Sequence, residues 1–236
     1  MEEITMQQWF YNPNSNFQMW GMTHIVTIIF IIVCLFALFV FKKTLLPYRR
    51  KIRITVGWTL IISRLSLDIW YLSTSQWSVK SSLPFELCSI ASIMCAIMLL
   101  TKNKSLFEVF YFIALAGAFQ AIVTPDLNFG FPQFRYIQFF LDHFLLIAAP
   151  LMMISLYDFK VTHRSIIKSF LTLNGIAAIV FCINHIFSSN YMFLSHKPNS
   201  ASLLDFLGPY PFYLISLELV ALLIFSMLYL PFVWKK

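Results

Sequence analysis

Seven apolar runs, each of roughly twenty residues, leave this chain few ways to fold. They lie near residues 22–41, 53–74, 83–101, 106–124, 134–156, 165–187 and 209–233. A run of that length crosses a hydrocarbon core about 30 Å thick as an α-helix, with its backbone N–H and C=O groups satisfied inside the segment. The expected fold class is therefore all-α, a polytopic transmembrane helical bundle of about seven spans. Composition agrees, with 59% hydrophobic and only 11% charged residues, where a soluble domain carries about 25% charged. The first run is too long for a signal-peptide core and lacks a small-residue cleavage site, so it reads as retained. Residues 1–21 then form an N-terminal extracytoplasmic segment, and 22–236 a single seven-helix transmembrane domain.

Prolines punctuate the runs. Pro84, Pro209 and Pro211 fall in expected first turns, where a missing N–H costs nothing. Pro150 lies inside the fifth run and predicts a kink. The chain has no evident internal repeat, which counts against an inverted-repeat transporter.

The net charge of +7 raises the question of a nucleic-acid partner. The basic residues instead form short patches between apolar runs, which membrane orientation explains. Lys42, Lys43, Arg49, Arg50, Lys51, Arg53, Lys102, Lys104, Lys160, Arg164, Lys168, Lys235 and Lys236 all fall on one side, out of 17 Lys and Arg in total. The other side holds Lys80, Arg135 and Lys197, and Arg64 is within a run. The positive-inside rule puts the N-terminus outside and the C-terminus inside. Membrane lipids are the expected partners; nucleic acid is not.

The buried polar groups gather toward the side with fewer basic residues. His24, Asp68, Glu86, Cys88, Gln120, Asp126, Asp142, His143, His185 and Glu218 all map to the outer end or outer half of their runs. Ionisable groups in hydrocarbon are costly and usually have a task. Packing alone does not require this asymmetry, so a polar cavity opening outward is expected.

Within that layer, Cys88 and His143 are the sharpest candidates. A thiolate is a nucleophile, and an imidazole within hydrogen-bond reach can take the thiol proton. The plainer reading is a buried cysteine and a histidine bonded to a neighbouring helix. Arg64 and Asp68, four residues apart, share a helix face and serve either as an internal ion pair or as contacts to a substrate phosphate. Glu86 diverges from Cys88, and Asp142 from His143, by about 100° per residue along a helix. Glu218 is either an acceptor within the bundle or part of the site. Residues 189–205 make a long polar connector with a turn signal at Lys197-Pro-Asn, suited to a lid or to a solvated loop.

The remaining cysteines, Cys34, Cys95 and Cys182, read as small buried core residues. No CxxC and no zinc-like Cys/His spacing occurs, so neither a disulfide framework nor a metal is expected, and no cofactor is implied.

Five stretches carry a resemblance: Leu83-Pro-Phe-Glu-Leu-Cys88, Thr124-Pro-Asp-Leu-Asn-Phe-Gly-Phe-Pro132, Gln138-Phe-Phe-Leu-Asp-His143, Asn190-Tyr-Met-Phe-Leu194 and Leu203-Leu-Asp-Phe-Leu-Gly-Pro-Tyr-Pro211. From about residue 20 onward the chain resembles the YwaF-like bacterial integral membrane proteins, grouped with the transmembrane protein 164 acyltransferases. The resemblance implies a multi-pass protein of the bacterial plasma membrane that moves an acyl chain on phospholipids, or hydrolyses it. It implies Cys88 as the acylated nucleophile and His143 as its base. The residues themselves, apart from the resemblance, make Arg64, Asp68, Glu86, Asp142 and Glu218 the candidate substrate contacts. Where bacterial relatives often have His two residues before the Cys, this chain has Glu86. The competing expectation is a transporter or a ligand-binding membrane subunit, with Arg64, Asp68 and His143 as ligand contacts.

Overall fold

The computed structural model describes residues 9–197 and 203–233. Seven long helices follow one another: α1 (Met22–Val40), α2 (Arg49–Ser73), α3 (Leu87–Thr101), α4 (Lys104–Val123), α5 (Phe134–Tyr157), α6 (His163–Phe187) and α7 (Phe212–Val233). A four-residue helix, Lys42–Leu45, and a 3-10 turn, Leu46–Tyr48, join α1 to α2. Each apolar run of the sequence is thus a helix, and no strand occurs among the described residues. Lys235 and Lys236, and most of the turn expected at Lys197-Pro-Asn, lie outside the described residues.

Five of the seven, α1, α4, α5, α6 and α7, are long and apolar enough to cross a membrane by length and composition. The other two fall short of that, α2 because Arg64 and Asp68 lie inside its apolar stretch and α3 because it is short; both also depart from their expected bounds. α2 begins at Arg49 rather than near residue 53, because the basic stretch Arg49-Arg-Lys-Ile-Arg53 is itself helical. α3 is only 15 residues long. Pro84 and Phe85 form a turn before it instead of its first turn, and Glu86 is its N-cap in extended geometry. Pro209 and Pro211 likewise precede α7. α5 runs through Pro150 as one continuous helix.

Burial separates the centre from the periphery. The most apolar window of α5 is 67% buried, while those of α1, α6 and α7 are each 11% buried. α4 and α5 therefore form the middle of the bundle. Phe30 and Phe36 of α1, Leu171 of α6 and Leu219 of α7 point outward, as expected where lipid rather than water is the solvent. This corrects the reading of the cysteines as core residues. Cys95 is fully buried, but Cys34 is only part-buried and Cys182 is exposed on the lipid-facing side of α6.

α1 fully buries only His24 and Ile31; Ile28, Leu35 and Leu38 pack part-buried on the core, and a few polar contacts add to that attachment. The Trp20 amide donates to His24 Nδ1 at 3.0 Å. The other ring nitrogen, Nε2, must then carry the proton, and it lies 2.9 Å from the Ile122 carbonyl of α4. Tyr136 of α5 adds hydroxyl bonds to Thr27 and to the Thr23 carbonyl. Helices α2 and α3 meet closely at Gly57, where a Cβ would sit 3.1 Å from Leu100 side-chain atoms.

Candidate functional site

Two segments cover the end of the bundle that carries the polar layer. The N-terminal strap lies on the α4–α5 loop, with Phe17 N bonded to Asn128 O and Trp70 Nε1 bonded to Phe10 O. The α6–α7 loop folds inward over the start of α3. Its Tyr191 is 1% exposed. The phenol donates to Val79 O at 2.8 Å and accepts from Leu83 N at 3.0 Å. Burial raises the Tyr191 phenol above its ordinary pKa, so it remains the neutral donor. Asn184 closes the loop from below, its Oδ1 accepting from Tyr191 N and its Nδ2 donating to Tyr191 O. Tyr213 of α7 donates to Phe193 O. The connector is therefore anchored onto the rest of the bundle rather than solvated throughout.

Beneath this cover, Glu86 accepts from Met192 N at 3.0 Å, and so ties the α3 start to the loop. Its electrostatic neighbours include Asp126. The side chain of Glu86 does not cap α3, so its own N-cap residue leaves the first-turn amides at that end unserved. Such a terminus carries unsatisfied N–H donors and partial positive charge. Cys88 sits in this first turn. Its sulfur packs toward α4, where a Cβ on Gly117 would lie 3.8 Å from it.

One face of α3 carries Cys88, Ser92 and Cys95, at helical spacings of four and three. It meets α5 at Asp142. Ser92 Oγ donates to Asp142 Oδ2 at 2.8 Å, while Asp142 Oδ1 is buried with no hydrogen-bond partner. Asp142 is an electrostatic neighbour of Cys88, Cys95 and His143 alike. It is 8% exposed and faces α3 rather than solvent.

His143, the next residue, turns to a different face of α5. Its Nδ1 lies 2.7 Å from the Phe139 carbonyl. A carbonyl only accepts, so Nδ1 carries the proton, and in the neutral ring Nε2 keeps its lone pair. The imidazole stacks on Phe139 at 4.2 Å between centroids, and the Arg135 guanidinium carbon lies over the same Phe139 ring, 5.6 Å from its centroid. Arg135 also donates to Gln138, whose amide reaches Ser63 of α2. Cys88 and His143 are not hydrogen-bonded to each other; Asp142 is the charged residue they share.

Arg64 and Asp68 do pair, at 2.6 Å. Arg64 also donates to Ser89 Oγ at 3.0 Å and Ser82 O at 2.9 Å. It thereby fixes the residue next to Cys88 and the turn before α3. Glu218 stands apart from this group: it accepts from Asn174 Nδ2 at 2.9 Å and joins α7 to α6. Among the described residues, no group of three or more His, Cys, Asp or Glu side chains is placed to hold a metal ion. Ser89 and Ser92 had no motif to mark them, since a serine in an apolar helix signals only a polar group facing it across the interface; Tyr191 lay in a stretch that carried the resemblance, but its role in anchoring the loop had no signal in the sequence.

The architecture is that of an integral membrane protein: an all-helical bundle with a covered polar layer at one end. A match to the TMEM164 family spans residues 19–229, from just before α1 into α7. The chain belongs to the TMEM164 family. No curated protein and no solved structure matches it.

Proposed function

We propose that the protein is a membrane-embedded acyltransferase, or acyl hydrolase, acting on phospholipid esters through Cys88 and His143. The observation that carries this reading is the pairing of two features around Asp142. A thiol sits in the uncapped first turn of α3, and an imidazole on α5 has its Nδ1 proton held by Phe139 O, leaving Nε2 as the basic nitrogen. The resemblance of these positions to those of the family's acyltransferases supports the same assignment.

In this mechanism His143 Nε2 takes the Cys88 proton as the sulfur attacks the ester carbonyl. Negative charge develops on the carbonyl oxygen, and the amides of the α3 first turn are donors suited to it. The C–O bond breaks, the leaving alkoxide takes the proton back from His143, and a lysophospholipid departs. An acceptor hydroxyl then gives its proton to His143 and attacks the thioester, and the Cys88 sulfur leaves. With water as acceptor the same steps release a fatty acid. This mechanism requires Cys88 and His143, which are not hydrogen-bonded here, to come within reach of one another in the occupied site, where catalytic hydrogen bonds tighten. Asp142 acts on both groups through its charge, and the bond it accepts from Ser92 joins α3 to α5. Glu86 is the departure whose carboxylate neighbours the sulfur. Arg64 and Asp68 brace the turn, and three hydrogen bonds on Arg64 speak for that role over direct ligand contact. The basic-loop pattern supports an orientation with the site toward the outside, and the resemblance supports a bacterial plasma membrane.

The test is acyl capture. Purified protein incubated with phospholipid is expected to carry an acyl group on Cys88 that neutral hydroxylamine removes. Cys88→Ser should lose turnover, because a hydroxyl is far harder to ionise. His143→Ala should acylate slowly and recover partly at high pH, where the thiol ionises unaided. Cys34→Ala, Cys95→Ala and Cys182→Ala should remain active. A folded Cys88→Ala protein that changes lipids as the parent does refutes the enzyme reading and leaves the polar layer as a ligand or transport site.

A further inference from the structure

At the opposite end of the bundle, a cavity of about 430 Å³ is lined by Arg49, Arg50, Arg53, Lys102 and Tyr157. Three elements build it: the start of α2, the end of α3 and the end of α5. The Arg49 and Arg53 guanidinium carbons lie 5.5 and 5.8 Å from the Tyr157 ring centre, and Lys102 Nζ lies 5.9 Å from it. Three cations thus face one ring, and among the described residues no acidic side chain lines the cavity. Asp158, next in sequence to Tyr157, is engaged by Lys42 Nζ at 3.3 Å.

Surface lysines and arginines are what orientation alone asks of a basic end. Arg53 is not a surface residue. It is 6% exposed, and its Nη1 is buried with no hydrogen-bond partner. Its Nε donates to the Tyr157 hydroxyl at 3.2 Å, which in turn donates to Arg49 O at 3.0 Å. The tyrosine therefore fixes the guanidinium in place and leaves one of its edges unserved. A buried guanidinium without an anion is costly, and its planar fork suits phosphate oxygens better than any other common anion save carboxylate. The cavity volume is in the range of small-ligand sites.

We propose that this cleft is a binding site for a phosphate ester, presented either by a membrane lipid headgroup or by a free phosphate ester. One phosphate would accept from Arg53 Nη1 and draw charge from Arg49, Arg50 and Lys102. By helix rise along α3, Lys102 is about 20 Å from Cys88, so this site is separate from the proposed acyl-transfer centre and does not depend on it.

The experiment follows thermal unfolding of the full chain in neutral detergent by tryptophan fluorescence. The probes are dioctanoyl phosphatidic acid, glycerol phosphate and dioctanoyl phosphatidylcholine, each against sodium chloride of equal ionic strength. Phosphatidic acid should raise the midpoint by about 4 °C or more at saturation. The rise should be lost in Arg53→Gln, reduced in Lys102→Gln, and kept in Lys43→Gln, whose lysine does not line the cavity. Glycerol phosphate giving the same cavity-dependent rise identifies a free ester as sufficient; a rise confined to the lipids identifies a headgroup. If Arg53→Gln does not fold, Lys102→Gln decides, because that lysine is exposed. No rise above the salt control for any phosphate probe overturns the proposal, as does an equal loss of the rise in Lys43→Gln and Lys102→Gln.

Discussion

Ser92 Oγ donates to Asp142 Oδ2 at 2.8 Å across the α3–α5 interface, one helical turn from Cys88. This bond joins the helix bearing the thiol to the helix bearing the imidazole. It also serves the one oxygen of Asp142 that has a partner, since Oδ1 is buried without one.

Ser92→Ala should therefore cost more than a serine in an apolar helix usually does. It leaves both oxygens of a buried carboxyl group unserved, a loss of about 1.5–3 kcal/mol. Asp142→Asn keeps an acceptor for Ser92 and should cost less. Denaturant titration of the purified protein in micelles measures both; equal stability of Ser92→Ala and parent would show that Asp142 is served by water.

The Arg64–Asp68 pair is unequal. Arg64 is 11% exposed on its side chain and Asp68 is 36% exposed. Asp68→Ala strands a mostly buried cation and should cost about 2–4 kcal/mol. Arg64→Met strands a carboxylate that water can reach, so the freed charge itself costs less. Exchanging the two residues should not restore stability, because an aspartate at 64 would face Ser82 O, an acceptor that now receives a hydrogen bond from Arg64. Full recovery in the exchange would show that the two charges alone carry the interaction.

Tyr191→Phe removes a donor from Val79 O and an acceptor from Leu83 N in one change. Amide hydrogen exchange in residues 79–86 should accelerate by about 10–100-fold, the equivalent of one or two lost hydrogen bonds. The amides of α4 should be unaffected. Unchanged exchange in 79–86 would mean that the loop is held by Asn184 and Glu86 without the phenol.

Orientation is tested by reporter fusions. Reporters placed after Lys43 and after Lys236 should both read cytoplasmic. A reporter on the far side at either place would reverse the assignment of the Cys88 end to the outside.

The helices were legible because seven apolar runs of membrane-crossing length admit little else, and their ends agree with the structure within a few residues except at α2 and α3. Those two failed for opposite reasons. Helical arginines at 49–53 have a loop's composition, whereas Leu83-Pro-Phe has a helix's composition but forms a turn. Cys182 was misread because lipid-facing and core-facing residues are equally apolar, so hydropathy cannot separate them. The Arg64–Asp68 pair was legible because four-residue spacing is a local signal. The bond from Ser92 to Asp142 was not, since contacts between helices have no spacing in the sequence. The grouping of Arg53, Lys102 and Tyr157 was invisible for the same reason: three separate segments contribute, and along the chain two of them look only like orientation charges.

The shortness of α3 has a consequence for depth. Fifteen residues rise about 22 Å, some 8 Å less than the hydrocarbon core. With Lys102 held at one headgroup boundary, the opposite end of α3 stops short of the other. Were α3 to stand upright in the bilayer, Cys88 would lie below the glycerol level, among the first carbons of the acyl chains. A bilayer lipid would have to sink by several ångströms, or the leaflet thin locally, before its ester reached the sulfur. Lipids with short or disordered tails would make that descent most readily, so leaflet thickness would govern access to this end of the protein.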